Sequence, residues 1–205
     1  MSTEYSYPTS DRGPAEHDIR NQILAAAAEH FSLYGYEKTT VSDLAKAIGF
    51  SKAYIYKFFK SKQAIGEMIC ANCLRQLETE IKTAVNKAEG PPDKLRVMFK
   101  TIVEVSLKLC FQDRKLYEIA ASAATERWQS ARAYEDCIQK LLQDILQEGR
   151  QTGDFNPEGP LDEAVMAIYL IMHPYLNPVL LQHSYDYASK APALLTELIL
   201  RSLSK

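Results

Sequence analysis

Strand signals are what this chain of 205 residues lacks most. Almost nowhere do apolar and polar residues alternate over four to eight positions, so no sheet is expected. The short motifs that carry catalysis are missing too: there is no GxSxG elbow, no HExxH and no phosphate-binding glycine loop. His17, His30, His173 and His183 form no cluster with ligand spacing. The cysteines are Cys70, Cys73, Cys110 and Cys137, and the first two make a CxxC pair. No second pair or matching histidines follow, so these read as structural thiols rather than zinc ligands. Together these absences argue against an enzyme and give no reason to expect a cofactor or a metal.

The opening MSTEYSYPTSDRGPAEHD has neither an apolar core run nor a basic n-region, and it is not read as an export signal. The expected setting is the cytoplasm, with reduced thiols. Only one stretch, Ala164 to Tyr185, is long and free of Asp, Glu, Lys and Arg. It holds His173, Pro174, Asn177 and Pro178 between acidic flanks, so it reads as a helix buried in protein, not a membrane span.

What is present is nearly continuous helical periodicity. Residues 1–16, rich in Ser, Pro and Tyr, read as a disordered tail. Ile19, Ile23, Ala27, Phe31 and Tyr34 mark one face of a first helix, which Gly35 ends. Thr40 suits an N-cap and Asp43 a first turn, opening a short second helix with Val41, Leu44, Ala45 and Ile48 inward and Gly49 closing it. Ser51 caps a third helix running to about Lys60, and Ser61 a long fourth. Gly90-Pro91-Pro92 is a break. Further helices are expected at 93–111, 115–124, 127–149, 161–185 and 192–203. The whole is an all-α chain of about nine helices: a tail over 1–16, a three-helix module over 17–62 and a larger helical body over 63–205.

Net charge is only −2, but it is unevenly spread. Between Lys38 and Lys62 lie six lysines and one acid, which leaves the remainder of the chain acidic. A basic segment on an acidic body is the footprint of a polyanion-binding site. Two short helices joined by a tight Gly49 turn form a helix-turn-helix, whose second helix enters the DNA major groove. With Ile55 and Phe59 facing the core and Phe58 at their edge, Lys52, Ala53, Tyr54, Tyr56 and Lys57 occupy the exposed side. Lysines neutralise phosphates, and phenols donate to phosphates or reach base edges.

The run TTVSDLAKAIGFSKAYIYKFFKSKQAI, Thr39 to Ile65, resembles the DNA-binding domain of the TetR family of bacterial transcriptional regulators. Thr40, Ala45, Ile48, Gly49, Ser51, Tyr56, Phe59 and Lys62 stand at the family's pattern positions in one register. The resemblance implies that Thr40, Ser51, Tyr56 and Lys62 contact the DNA backbone. It places Ser42, Lys52, Ala53, Tyr54 and Lys57 where bases are read. Phe58 departs from the His or Tyr that members often carry there, Lys57 stands where an aromatic is common, and Ala53 replaces a frequent Gly.

For the body, the resemblance implies a homodimer and a small effector. The apolar circumference of the last helix and of 161–181 gives a separate reason to expect a two-fold interface, with Ile168, Leu194, Leu195, Leu198 and Ile199 as candidates, matching a palindromic operator in double-stranded DNA. Val103, Ser106, Cys110, Trp128, Tyr134, Tyr169 and His173 are the candidate effector residues, near a kink expected at Pro174 and Pro178. The reading is thus a ligand-responsive DNA-binding regulator, a repressor released from its operator by a small lipophilic effector. Two alternatives stay open: a thiol sensor using Cys70 or Cys110, and a helical adaptor that binds protein alone.

Overall fold

The computed structural model describes residues 14–109 and 114–204. All regular structure among them is helical, and the chain divides into two compact units, Met1–Ile65 and Gly66–Lys205. Most of the expected tail, residues 1–13, lies outside the described residues. Residues 14–16 differ from expectation: they already belong to α1 (Pro14–Tyr34), whose first position is a proline. A fixed φ and a missing N–H cost nothing there.

In the first unit α1 is followed by α2 (Val41–Ile48) and α3 (Lys52–Tyr56). Ile23, Ala27, Phe31, Leu44, Ile55 and Phe59 are buried in its core. Tyr34, expected on that face, is 61% exposed, and it is Tyr36 whose ring meets Phe31 edge-on at 5.0 Å. Two part-buried bonds fix the approach to α2: the Thr39 hydroxyl donates to the Gly35 carbonyl at 2.8 Å and lies 3.3 Å from His30 Nδ1. Thr40 and Asp43 form a reciprocal capping box at the start of α2. Gly49 ends α2 at φ 77°, a left-handed conformation that would strain any larger residue, and the Phe50 N–H returns to the Ala45 carbonyl. Ser51 then caps α3 through the Tyr54 N–H. α3 stops at Tyr56, earlier than the periodicity suggested, and the chain continues as a turn in which the Phe58 and Phe59 N–H groups both reach the Ile55 carbonyl.

The helix α4 (Lys62–Asn86) begins after Ser61, whose hydroxyl accepts from the Ala64 N–H. The second unit holds the rest of α4, then α5 (Pro91–Leu107), α6 (Arg114–Thr125), α7 (Gln129–Thr152), α8 (Leu161–Leu176), α9 (Pro178–His183), α10 (Tyr185–Ala188) and α11 (Ala191–Leu203). Pro91 and Pro92 sit in the first turn of α5, so the break read at this point ends at Gly90. The core is built where α7 packs on α5 and α8, and α11 on α5, with Phe99, Ile102, Ile138, Leu142, Ile145 and Met172 all buried. Near the end of α7 the Phe155 ring lies where a Gly149 Cβ would stand, 2.0 Å from its position, so no side chain fits there.

The expected single helix over 161–185 is three helices, which turns nine into eleven among the described residues. Pro174 is carried inside α8 without ending it. The break comes at Asn177, extended at φ −89° and ψ 120°, whose side-chain oxygen accepts from the Val179 and Leu180 N–H groups. With Pro178 next, Asn177 is steered out of the helical region and made the N-cap of α9.

Candidate functional site

The α2–α3 unit presents a basic and aromatic surface. Lys52, Ala53, Tyr56, Lys57 and Lys60 are exposed, as is Lys46 on α2. The Lys52 ammonium lies 5.9 Å from the centre of the Tyr56 ring and that of Lys57 5.5 Å from the Tyr54 ring. Tyr54 is half-buried, edge-on to Phe50 at 5.1 Å and to Phe58 at 5.3 Å. Phe58 thus packs this face together, and its carbonyl accepts from Arg20, whose guanidinium lies 4.6 Å from the centre of the Phe59 ring. The opposite side of α3 is anchored by fully buried Ile55.

The remaining residues expected at this surface are occupied locally. Thr40 is exposed, and its hydroxyl meets the Asp43 carboxylate at 2.6 Å and accepts the Asp43 N–H at 3.2 Å. Those bonds, the hydroxyl first and the Thr40 N–H second, hold the Asp43 carboxyl below its ordinary value. Ser51 uses its hydroxyl as a cap, and Ser42 is half-buried on α2. Lys62 turns inward: its ammonium donates to the Tyr36 carbonyl at 2.9 Å and the Glu37 carbonyl at 3.3 Å, above the Tyr36 ring.

In the second unit Ser106 and Tyr134 line a cavity of ≈ 50 Å³ together with Leu74, Leu77, Leu109 and Leu176. The other effector candidates stand elsewhere. Trp128 is buried as the N-cap residue of α7, its indole N–H donating to Glu126. Val103 and Tyr169 are core residues, and burial pushes the Tyr169 phenol up to about 12. His173 is half-buried, 5.7 Å from the Tyr169 ring, and Cys110 lies outside the described residues. Glu67 of α4 accepts the Ser130 N–H at 2.8 Å, so a carboxylate from one helix caps the first turn of another. That contact joins residues 63 positions apart and leaves no local trace in the sequence.

Two helices of this unit carry apolar side chains outward. On α8 these are Met166, Leu170 and Ile171, and on α11 Leu194 and Leu198, 68% and 60% exposed. Of the expected interface residues, Leu195 is half-buried, while Ile168 and Ile199 are in the core and unavailable to a partner.

Residues 23–67, which span the helix-turn-helix and its lysine face, match the family model "Bacterial regulatory proteins, tetR family", and residues 91–193 match "Tetracyclin repressor-like, C-terminal domain". The chain belongs to the TetR family. It is therefore a DNA-binding transcriptional regulator, and its relatives are regulators rather than enzymes. It is 28% identical over 145 residues to the transcriptional repressor KstR2 of Mycolicibacterium smegmatis, covering 70% of each chain. With the Staphylococcus aureus repressor IcaR it shares 32% identity over 88 residues, 42% of this chain and 47% of that one. Among solved structures, the fatty acid degradation regulator FadR of Bacillus halodurans superposes with a TM-score of 0.65 at 24% identity, over 93% of this chain and 97% of that one. FadR of Bacillus subtilis, solved with stearoyl-CoA, gives 0.64 at 22%, over 88% and 97%. Both likenesses are of fold.

For this TetR-family chain, the thiol alternative loses its first candidate to physical chemistry. Cys70 is buried, and burial pushes its thiol up to about 11 against the opposing pull of the Ser130 hydroxyl. A sensor needs an accessible thiolate near neutral pH. Among the described residues, no helix is long and apolar enough to cross a membrane.

Proposed function

We propose that this TetR-family regulator is a dimeric repressor that holds a palindromic operator with α3 in the major groove and releases it when a small, largely apolar effector enters the second unit. The observation that carries the proposal is the exposed face of α3, where Lys52, Tyr56 and Lys57 project around Ala53 from a helix anchored by Ile55. Lysines there neutralise phosphates, Tyr54 and Ala53 face bases, and the Ala53 methyl suits a thymine methyl. Tyr56 on that helix and Thr40, Ser42 and Ser51 flanking it serve as backbone contacts or second-helix readers, while Lys62 is taken up by the loop after α1.

Two-fold symmetry follows from the apolar stripes on α8 and α11, which pair with themselves in a second copy. Repression is supported by KstR2, named a transcriptional repressor, and by IcaR, named a negative transcriptional regulator. Effector control is supported by the small apolar cavity and by the fold neighbour that carries stearoyl-CoA. Ligand entry favours a body conformation that reorients α4, and the two recognition helices no longer match successive major grooves.

Selection of bound sites from a random DNA pool tests the reading. Enrichment of a palindrome with half-sites one or more helical turns apart, about 34–36 Å per turn, is expected. Recovery of an asymmetric motif would remove the two-fold reading, and no enrichment at all would remove operator recognition.

A further inference from the structure

The cavity's lining says which chemistry its occupant has. Its walls come from α4 to α9, and they are leucine and alanine for the most part, among them Leu74 and Leu77 of α4 and Ala120, Ala123 and Ala124 of α6. Among the described residues that line it there is no lysine, arginine or histidine, and the one carboxylate is Glu135. The Tyr134 phenol is buried with its hydroxyl lacking any hydrogen-bond partner. Burial, reinforced by the nearby Glu78 carboxylate, pushes that phenol upward, so it remains a neutral donor at physiological pH.

An orphaned hydroxyl in an apolar wall is a standing cost that a ligand acceptor removes. A carboxylate or phosphate entering the same space finds no cation among the described lining residues and meets Glu135, so against these walls it is buried unpaired. We infer that the effector places an uncharged oxygen acceptor, a carbonyl or a hydroxyl, against Tyr134, and that the part of the molecule inside this cavity bears no negative charge. This rests on the effector reading above and narrows it to a ligand class. At ≈ 50 Å³ the space is well below the roughly 300–1,000 Å³ of ligand pockets, so the occupant widens it by parting the α4 and α6–α7 walls.

Three eight-carbon probes separate the possibilities on the full chain: 2-octanone, 1-octanol and octanoate. Each is titrated against the Trp128 emission of wild type and of Tyr134→Phe. Trp128 is a suitable reporter because its backbone N–H bonds to the carbonyl of Ala123, a wall residue. In wild type the ketone and the alcohol are expected to bind more tightly than octanoate. Tyr134→Phe is expected to weaken the ketone about three- to tenfold, the scale of one hydrogen bond. The variant also removes an unpartnered hydroxyl, so its thermal midpoint should be no lower than that of wild type, which separates lost recognition from lost folding. Octanoate binding as tightly as 2-octanone, or unchanged ketone affinity in Tyr134→Phe, overturns the assigned class while leaving effector control standing. If none of the three probes binds wild type, the cavity is not an effector site and both readings fall together.

Discussion

Lys57 and Lys62 lie five residues apart, and the fold uses them differently. Lys57 is exposed on the recognition face, whereas Lys62 ties two carbonyls of the loop that follows α1. Lys57→Ala should change stability by less than about 0.5 kcal/mol. It should weaken binding to all DNA sequences alike and lower the salt slope by roughly one unit per subunit. Lys62→Ala should instead destabilise the first unit by about 1.5–3 kcal/mol, the range for hydrogen bonds from a charged donor. Paired thermal melts and salt-titrated binding curves read both effects; a stable Lys62→Ala protein would show that its two carbonyl bonds contribute nothing. Tyr54→Phe keeps the ring between Phe50 and Phe58 and deletes only the hydroxyl. It should leave the melt unchanged and alter the selected motif at a specific position of each half-site. A motif unchanged at every position would place the reading face elsewhere.

At the scale of elements, the capping box of α2 makes a pH prediction with a definite sign. The Asp43 carboxyl titrates below its ordinary value of 3.8 in the folded chain, so its contribution is fully present above that value. It is lost as pH falls through the lower, folded value. Helical content of the first unit should therefore decline more steeply on acidification in wild type than in Asp43→Asn, measured by circular dichroism between pH 5 and about 2. Identical acid profiles would mean the carboxylate has no role in the cap. These caps were legible because capping is local chemistry: Thr40, Ser51 and Ser61 each sit just before an apolar repeat. The division of 161–185 was less legible. An uncharged run carries no polar marker of where a helix turns, and the decisive feature is the Asn177-Pro178 pair. The same lack of markers explains the interface candidates. Along an all-apolar helix the phase of the outward face cannot be read, so buried Ile168 and Ile199 looked equivalent to exposed Leu194 and Leu198. The cavity was less legible still: its walls come from six helices, and of its lining only Ser106 and Tyr134 stand out in the sequence as effector candidates, with Pro178 marking the neighbourhood.

For the whole molecule, the outward apolar stripes set the assembly prediction. Leu198→Glu places a charge on a side chain already 60% exposed, so the isolated chain should fold while the dimer dissociates. Ile199→Glu, one residue along, buries a charge at a site 3% exposed and should unfold the second unit outright. Sedimentation velocity with circular dichroism distinguishes a folded monomer from an unfolded chain. A wild-type protein that sediments as a monomer at micromolar concentration, or a Leu198→Glu variant that remains dimeric, would dispose of the α8–α11 interface.

The Glu67 carboxylate that caps α7 also has a consequence in time. The first turn of any helix has amide groups with no carbonyl partner of their own, and here the Ser130 amide takes its protection from a residue of α4. Each excursion that separates α4 from α7 exposes that amide to solvent, so its hydrogen-exchange rate counts how often the two helices part. Glu67→Ala should raise exchange at Ser130 to the rate of a frayed helix end, while the middle of α7, near Ile138 and Leu142, keeps its slow exchange. An occupant that wedges the walls apart should do the same in the unmutated protein, making one backbone amide a clock for opening.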